Sequence, residues 1–253
     1  MREPYATAAR LLLGLLATAL LLTGCASLRE PAAPDYAAIV AAPDRSAADR
    51  RIDLHRKPAE LLAFTGVMPG MRVLDLGAGG GYSSELLARA VGPGGVVYAH
   101  DSPSAVARLK GSFERRARSP AMKNVLRVLR PYEDPLPAGV TGLDLETFFF
   151  AYHDTVYAGV DRAQMDRSLY AALKPGGILV IADHSARAGA GLTVTHSLHR
   201  IEEGVLRREV EAAGFRLVAE GEFLRHPEDP RTAPVFHSKV PVDEFVLRFE
   251  KPR

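Results

Sequence analysis

The chain reads as an open α/β sheet, doubly wound and mostly parallel, and three features predict it. The first is Arg72-Val-Leu-Asp-Leu-Gly-Ala-Gly-Gly-Gly81, where an apolar run ends in an acidic residue and then glycines at alternate positions, Gly77, Gly79 and Gly81. That pattern is a buried strand stopping at a tight turn, with a helix beginning near Tyr82 or Ser83. The second is a β-rich run, Val96-Val-Tyr-Ala-His-Asp101, ending in a carboxylate about twenty residues past the glycines. The third is the alternation of strand-like and helix-like segments along the rest of the chain, the signature of a parallel sheet covered on both faces.

Taken in order, Asp49–Thr65 is a helical approach, in which Pro58 suits a first turn and Gly66 a stop. Strand Arg72–Leu76, helix Ser83–Ala90, strand Val96–His100, helix Ser104–Arg118 and strand Val125–Leu129 follow. The second half continues with strand Leu143–Phe150, helix Asp161–Leu173, strand Ile178–Ala182, helix Ile201–Ala213 and strand Leu217–Glu222. Gly214 sits where a helix cap needs it. A last β-rich segment, Asp243–Glu250, closes the chain, and no internal repeat or second folded domain is visible.

Composition sets the limits. With 253 residues, 47% hydrophobic and 25% charged, the chain has room for one substantial core. A net charge of +2 without a dense basic cluster argues against nucleic acid as a partner. The short run Arg115–Arg118 reads as the solvated end of a helix.

The N-terminus has its own logic. Arg2 and Arg10 precede the apolar run Leu11–Leu22, too short to span a bilayer comfortably. A charged start, a short apolar centre and small residues beyond it describe a signal peptide over residues 1–24. Leu22-Thr-Gly-Cys25 resembles a bacterial lipobox, which would make Cys25 a lipidated first residue and residues 25–48, rich in Ala, Pro and Asp, a flexible tether. Cys25 is the only cysteine, so no intramolecular disulfide is possible. The expectation is a domain over 49–253 held by lipid on the envelope membrane, on its periplasmic side. The alternative is a cytoplasmic protein.

Glycines in such a turn let a ligand lie against the main chain, and the first amides of the next helix stay free to face it. A dinucleotide fingerprint needs a third glycine or alanine where Tyr82 stands, and a phosphate-cradling loop with its Lys-Ser/Thr is absent. What is present, Asp75-x-Gly77-x-Gly79-x-Gly81, resembles the first motif of class I S-adenosylmethionine-dependent methyltransferases. Asp101 after the second strand, and Leu173-Lys-Pro-Gly-Gly-Ile-Leu-Val-Ile-Ala-Asp183, resemble the same family. The resemblance covers roughly residues 50 to 253. It implies a Rossmann-like sheet with one antiparallel strand near the edge, S-adenosyl-L-methionine as cofactor and a small-molecule acceptor. It also implies that Asp75 faces the methionine end, that Gly77, Gly79 and Gly81 line the carboxylate and sugar, and that Asp101 takes the ribose hydroxyls. Glu133 or Asp134 would approach the adenine amino group, although Arg130-Pro131 replaces the usual Gly-Asp pair. Ala151-Tyr-His-Asp154, Asp183-His-Ser185 and Leu198-His-Arg-Ile201 resemble, more narrowly, a group of predicted bacterial methyltransferases of unassigned substrate.

Methyl transfer asks the protein to position and desolvate two partners, with a base only where the acceptor is protonated. His153 after the fourth strand and His184 after the fifth are the candidate catalytic residues, since ligands sit beyond the carboxyl ends of such strands. His196-x-x-His199 adds two imidazoles, but spacing fixes no carboxylate partner for them, so no metal is expected. A cofactor- or ligand-binding protein of the same fold that has lost transfer activity is the alternative function.

Overall fold

The computed structural model describes residues 32–253. The signal peptide, Cys25 and the start of the tether lie outside the described residues. Among the described residues no helix is long and apolar enough to cross a membrane.

Seven strands form one sheet: β1 (Arg72–Leu76), β2 (Val96–Asp101), β3 (Val125–Leu129), β4 (Leu143–Phe149), β5 (Leu173–His184), β6 (Arg216–Gly221) and β7 (Glu244–Glu250). Their order is β3-β2-β1-β4-β5-β7-β6. Strands β1 to β5 pair in parallel, whereas β7 runs antiparallel to both of its neighbours. This is the predicted Rossmann-like architecture with its reversed strand near the edge. The order turns around between β1 and β4, so the crevice for a ligand opens beyond the carboxyl ends of those two strands.

Buried parallel strands carry apolar side chains on both faces, and β1 shows why. Leu74 and Leu76 point into a core with Phe148, Leu179, Ile181 and Phe249. Met165 and Leu169 of α8 (Arg162–Ala172) and Leu206 and Val210 of α10 (Glu203–Ala212) cover that face. Val73 points the other way, to Val97, Leu145, Val180 and Val246. Here the cover comes from Leu61 and Leu62 of α3 (Pro58–Thr65) and Leu86 and Leu87 of α4 (Tyr82–Val91).

Several boundaries differ from expectation, among them that of β5, which begins at Leu173 rather than Ile178. The approach Asp49–Thr65 is two helices, α2 (Ala47–Arg56) and α3, because Pro58 starts a new helix and Lys57 takes a left-handed φ of 41° before it. Ser104–Arg118 likewise divides at Lys110-Gly111 into α5 (Pro103–Leu109) and α6 (Ser112–Arg116). Inside the stretch read as a tether, α1 (Tyr36–Ala41) forms a helix and lays Tyr36, Ile39 and Val40 on the core. Its Tyr36 hydroxyl donates to the Val67 carbonyl at 2.7 Å. The i, i+3, i+4 spacing of those three side chains supplies the apolar stripe that the surrounding Ala and Pro obscure.

One face also buries acids. Neither carboxyl oxygen of Glu146 has a partner, and burial pushes its pKa well up. Asp166, fully buried, is raised to about 7 by burial. The Tyr152 hydroxyl lies 3.1 Å from Asp166 and 2.9 Å from Glu209, but its single proton serves only one of them. A neutral Asp166 settles this by donating itself. Because its folded pKa lies above the unfolded value, its contribution to stability is complete below the ordinary carboxylate range and is lost as pH rises through about 7. Urea unfolding at about pH 5 and about pH 8 should therefore show lower stability at the higher pH, and Asp166→Asn should flatten that difference.

Candidate active site

The site grows from the end of β1. Gly77 and Gly81 have φ of 67° and 79°, left-handed values that favour glycine. A Cβ on Gly77 would stand 3.2 to 3.3 Å from Ala151, Phe148 and the Tyr132 hydroxyl, and one on Gly81 would stand 3.1 Å from Phe113 and Arg116. Both positions need the missing side chain as well as the backbone freedom. Gly79, with φ 57°, shares the conformation but has space around it.

Asp75 is buried beneath the turn. Its Oδ2 accepts the hydroxyls of Ser83 at 2.7 Å and Ser84 at 2.6 Å, and its Oδ1 accepts that of Thr147 at 2.9 Å. Burial raises its pKa, opposed by the three hydroxyls. The residue braces β1, the first turn of α4 and β4 against one another.

Asp101 does face the turn. Its Oδ1 accepts the Gly79 amide at 3.0 Å, while the Ala78 amide donates to the His100 carbonyl at 2.8 Å. Ser102, rather than Asp101, caps α5. Burial raises it to about 6, against the pull of the Gly79 amide and Arg127.

Glu133 and Asp134 turn elsewhere. Glu133 Oε1 accepts the Asp161 amide at 3.0 Å ahead of α8, and exposed Asp134 pairs with Arg130 four residues earlier. With arginine in place of the family's glycine, Asp134 has a local partner, and the loop presents Tyr132 to the turn instead. Buried His100 fixes that loop, its Nε2 hydrogen-bonding the Arg130 carbonyl at 2.9 Å. Burial lowers its pKa to about 4, so the ring is neutral.

His153 and His184 meet beyond β4 and β5, with ring centroids 5.6 Å apart. His153 opens α7 (Tyr152–Tyr157); its Nδ1 lies 2.7 Å from Asp183 and its Nε2 3.0 Å from Asp154. Although burial opposes it, the two carboxylates raise its pKa to about 10. Between these carboxylates the ring favours its protonated form. His184 is better placed. Its Nδ1 is 2.9 Å from Glu244 Oε1, near enough for an ion pair yet off the line of an N–H bond, and the ring stacks on Phe150 at 5.3 Å.

Arg56, at the end of α2, escaped the sequence reading because nothing in its spacing marks it. The guanidinium lies 4.5 Å above the Phe150 ring and 5.4 Å from that of Tyr82, with no salt bridge or hydrogen bond among the described residues. Burial pulls its pKa down, while Glu244, Tyr82 and Asp75 hold it up. Arg56, His184 and Glu244 line a cleft of about 790 Å³. Its other walls include Leu54 and Phe236, which are 77% and 76% exposed.

Residues 68–212 match the family model described as a methyltransferase domain. The chain belongs to this family. Its cofactor is S-adenosyl-L-methionine. The methyltransferase is 34% identical over 114 residues to protein-L-isoaspartate O-methyltransferase 1 of Arabidopsis thaliana. The match takes in 45% of this chain and 46% of the relative, so the chain spans less than half of that relative's length. A SAM-dependent methyltransferase from Aquifex aeolicus superposes with a TM-score of 0.58 at 22% identity, over 86% of this chain and 99% of the other. The cyclase SpnF superposes with a TM-score of 0.56 at 20% identity, over 81% and 82%. At these identities the likeness is one of fold.

The resemblance gives Asp101 the ribose hydroxyls. In that role its carboxylate would accept both, and protonation near pH 6 would take one acceptor position away. Calorimetric titration with S-adenosylmethionine should show affinity falling about tenfold per pH unit below 6. Asp101→Asn should bind more weakly at neutral pH and lose that dependence.

Proposed function

We propose that this chain methylates a small molecule with an apolar body, seated in the cleft beside His184 and Glu244. The observation that carries the reading is the cleft itself. Leu54 and Phe236 offer it large apolar surfaces that a free surface rarely retains, and a histidine–carboxylate pair stands at its inner end.

The cofactor supplies a methyl group already activated on a sulfonium. The turn of Gly77 to Gly81 would hold it, with Asp101 available to the sugar and the unpaired Arg56 guanidinium to the carboxylate. Phe150 and Tyr82 exclude water around that guanidinium and strengthen its attraction for an anion. Glu244 orients the His184 ring, whose other nitrogen takes the proton of an acceptor hydroxyl. His153, between the carboxylates of Asp183 and Asp154, holds the floor of the site. With labelled cofactor and a metabolite extract, His184→Ala should cut methyl incorporation about a hundredfold and leave cofactor affinity unchanged. Equal incorporation would remove His184 from proton transfer.

A second reading follows from the N-terminus. A lipidated Cys25 would hold the domain on the envelope membrane, away from the cytosol where the cofactor is made. A protein that binds without transferring fits that location, and bound cofactor with no methylated product in any extract would favour it. The anchor has its own test: labelled palmitate should enter the wild-type chain and be lost in Cys25→Ser.

A further inference from the structure

We propose that His153, Asp154 and His199 form a binding site for a divalent first-row metal ion beside the cleft. Sequence spacing joins His196 to His199 but points to no carboxylate. The fold supplies one, because α7 begins where β4 ends and α9 (Thr195–Leu198) folds back beside it.

The donor atoms converge. Asp154 Oδ1 lies 3.0 Å from His153 Nε2 and 3.8 Å from His199 Nδ1, and the three atoms are all within 4.8 Å of one another. Donors sharing a metal at about 2.1 Å stand roughly 3.0 to 3.4 Å apart. His153 and Asp154 already have that separation. Half-exposed His199 closes the rest by turning its ring.

The surroundings are those of a metal ligand set. Asp183, fully buried, accepts both the His153 main-chain amide at 2.9 Å and the ring Nδ1 at 2.7 Å. It thereby directs Nε2 at the common point, where a metal ion would take the place of the Nε2 proton and release it to solvent, the carboxylate–histidine arrangement that orients imidazole ligands to metals. Tyr157 hydrogen-bonds Asp154, fixing the carboxylate in turn. His199 has φ 54°, a left-handed backbone that is costly for a side-chain-bearing residue, and this turns its ring toward His153 with centroids 5.5 Å apart. Two imidazoles and one carboxylate suit Zn²⁺, Fe²⁺ or Co²⁺ better than Mg²⁺ or Ca²⁺. Three protein ligands leave positions open for an oxygen donor. His199 meets Phe236 of the cleft wall edge-on at 5.0 Å, so the open side adjoins the cleft.

Metal uptake is measurable without cofactor or acceptor, so this inference stands or falls apart from the methyl-transfer reading. The full chain, untagged and stripped with a chelator, is titrated with Co²⁺ and followed by visible absorption, with Zn²⁺ as competitor by calorimetry. One equivalent of Co²⁺ should bind with the spectrum of mixed nitrogen and oxygen ligation. His199→Ala and Asp154→Asn, both at half-exposed positions, should weaken binding at least about tenfold, and His196→Ala should leave it unchanged. Absence of stoichiometric uptake by the wild-type chain would overturn the proposal, as would equal affinity in His199→Ala. A loss in His196→Ala equal to that in His199→Ala would also overturn this ligand set.

Discussion

The glycine turn depends on a buried carboxylate held by three hydroxyls. Asp75 gathers hydroxyls from Ser83, Ser84 and Thr147, joining the end of β1 to the helix after it and to the neighbouring strand. Hydrogen bonds to an ionised group are worth about 1.5 to 3 kcal/mol each, and leaving such hydroxyls buried without partners costs a similar amount. Three residues with positive φ in one loop are expensive to order, and the brace offsets that cost. A cradle set before the ligand arrives spends none of the binding energy on assembling itself.

From this base the geometry extends outward in two directions. On one side, the Asp101 carboxylate meets the Gly79 amide across the adjoining strand, and neutral His100 secures the loop that carries Tyr132. On the other, β4 runs out through Phe148, Phe149 and Phe150 into α7, and Ala151 closes against Gly77. His153 therefore stands just past Ala151, a side chain that closes on the turn.

How much of this was legible in the sequence follows from the range of each interaction. The strand carrying Asp75, the alternating glycines and Asp101 belong to short, periodic phrases, and the fold class followed from their resemblance to a family. Ranges slipped where local chemistry broke a helix, at Lys57-Pro58 and Lys110-Gly111. Roles slipped where a partner comes from far along the chain. Nothing near Glu133 announces the Asp161 amide, and nothing near His153 announces that Asp183, thirty residues on, will hold its proton. Arg56 was invisible for the same reason: its aromatic neighbours, Tyr82 and Phe150, are brought together only by the fold.

The one antiparallel strand has a chemical effect beyond topology. In β5 and β7 the register pairs His184 with Glu244, the last residue of one strand with the first of the other. Had β7 run the same way as its neighbours, the opposite terminus would lie there, and the chain would deliver Arg248 or Glu250 to the ligand end. By entering the sheet at that end, β7 delivers an acid at its first residue, with the loop carrying Phe236 just before it. A reversal that completes the sheet edge thus also equips the mouth of the site.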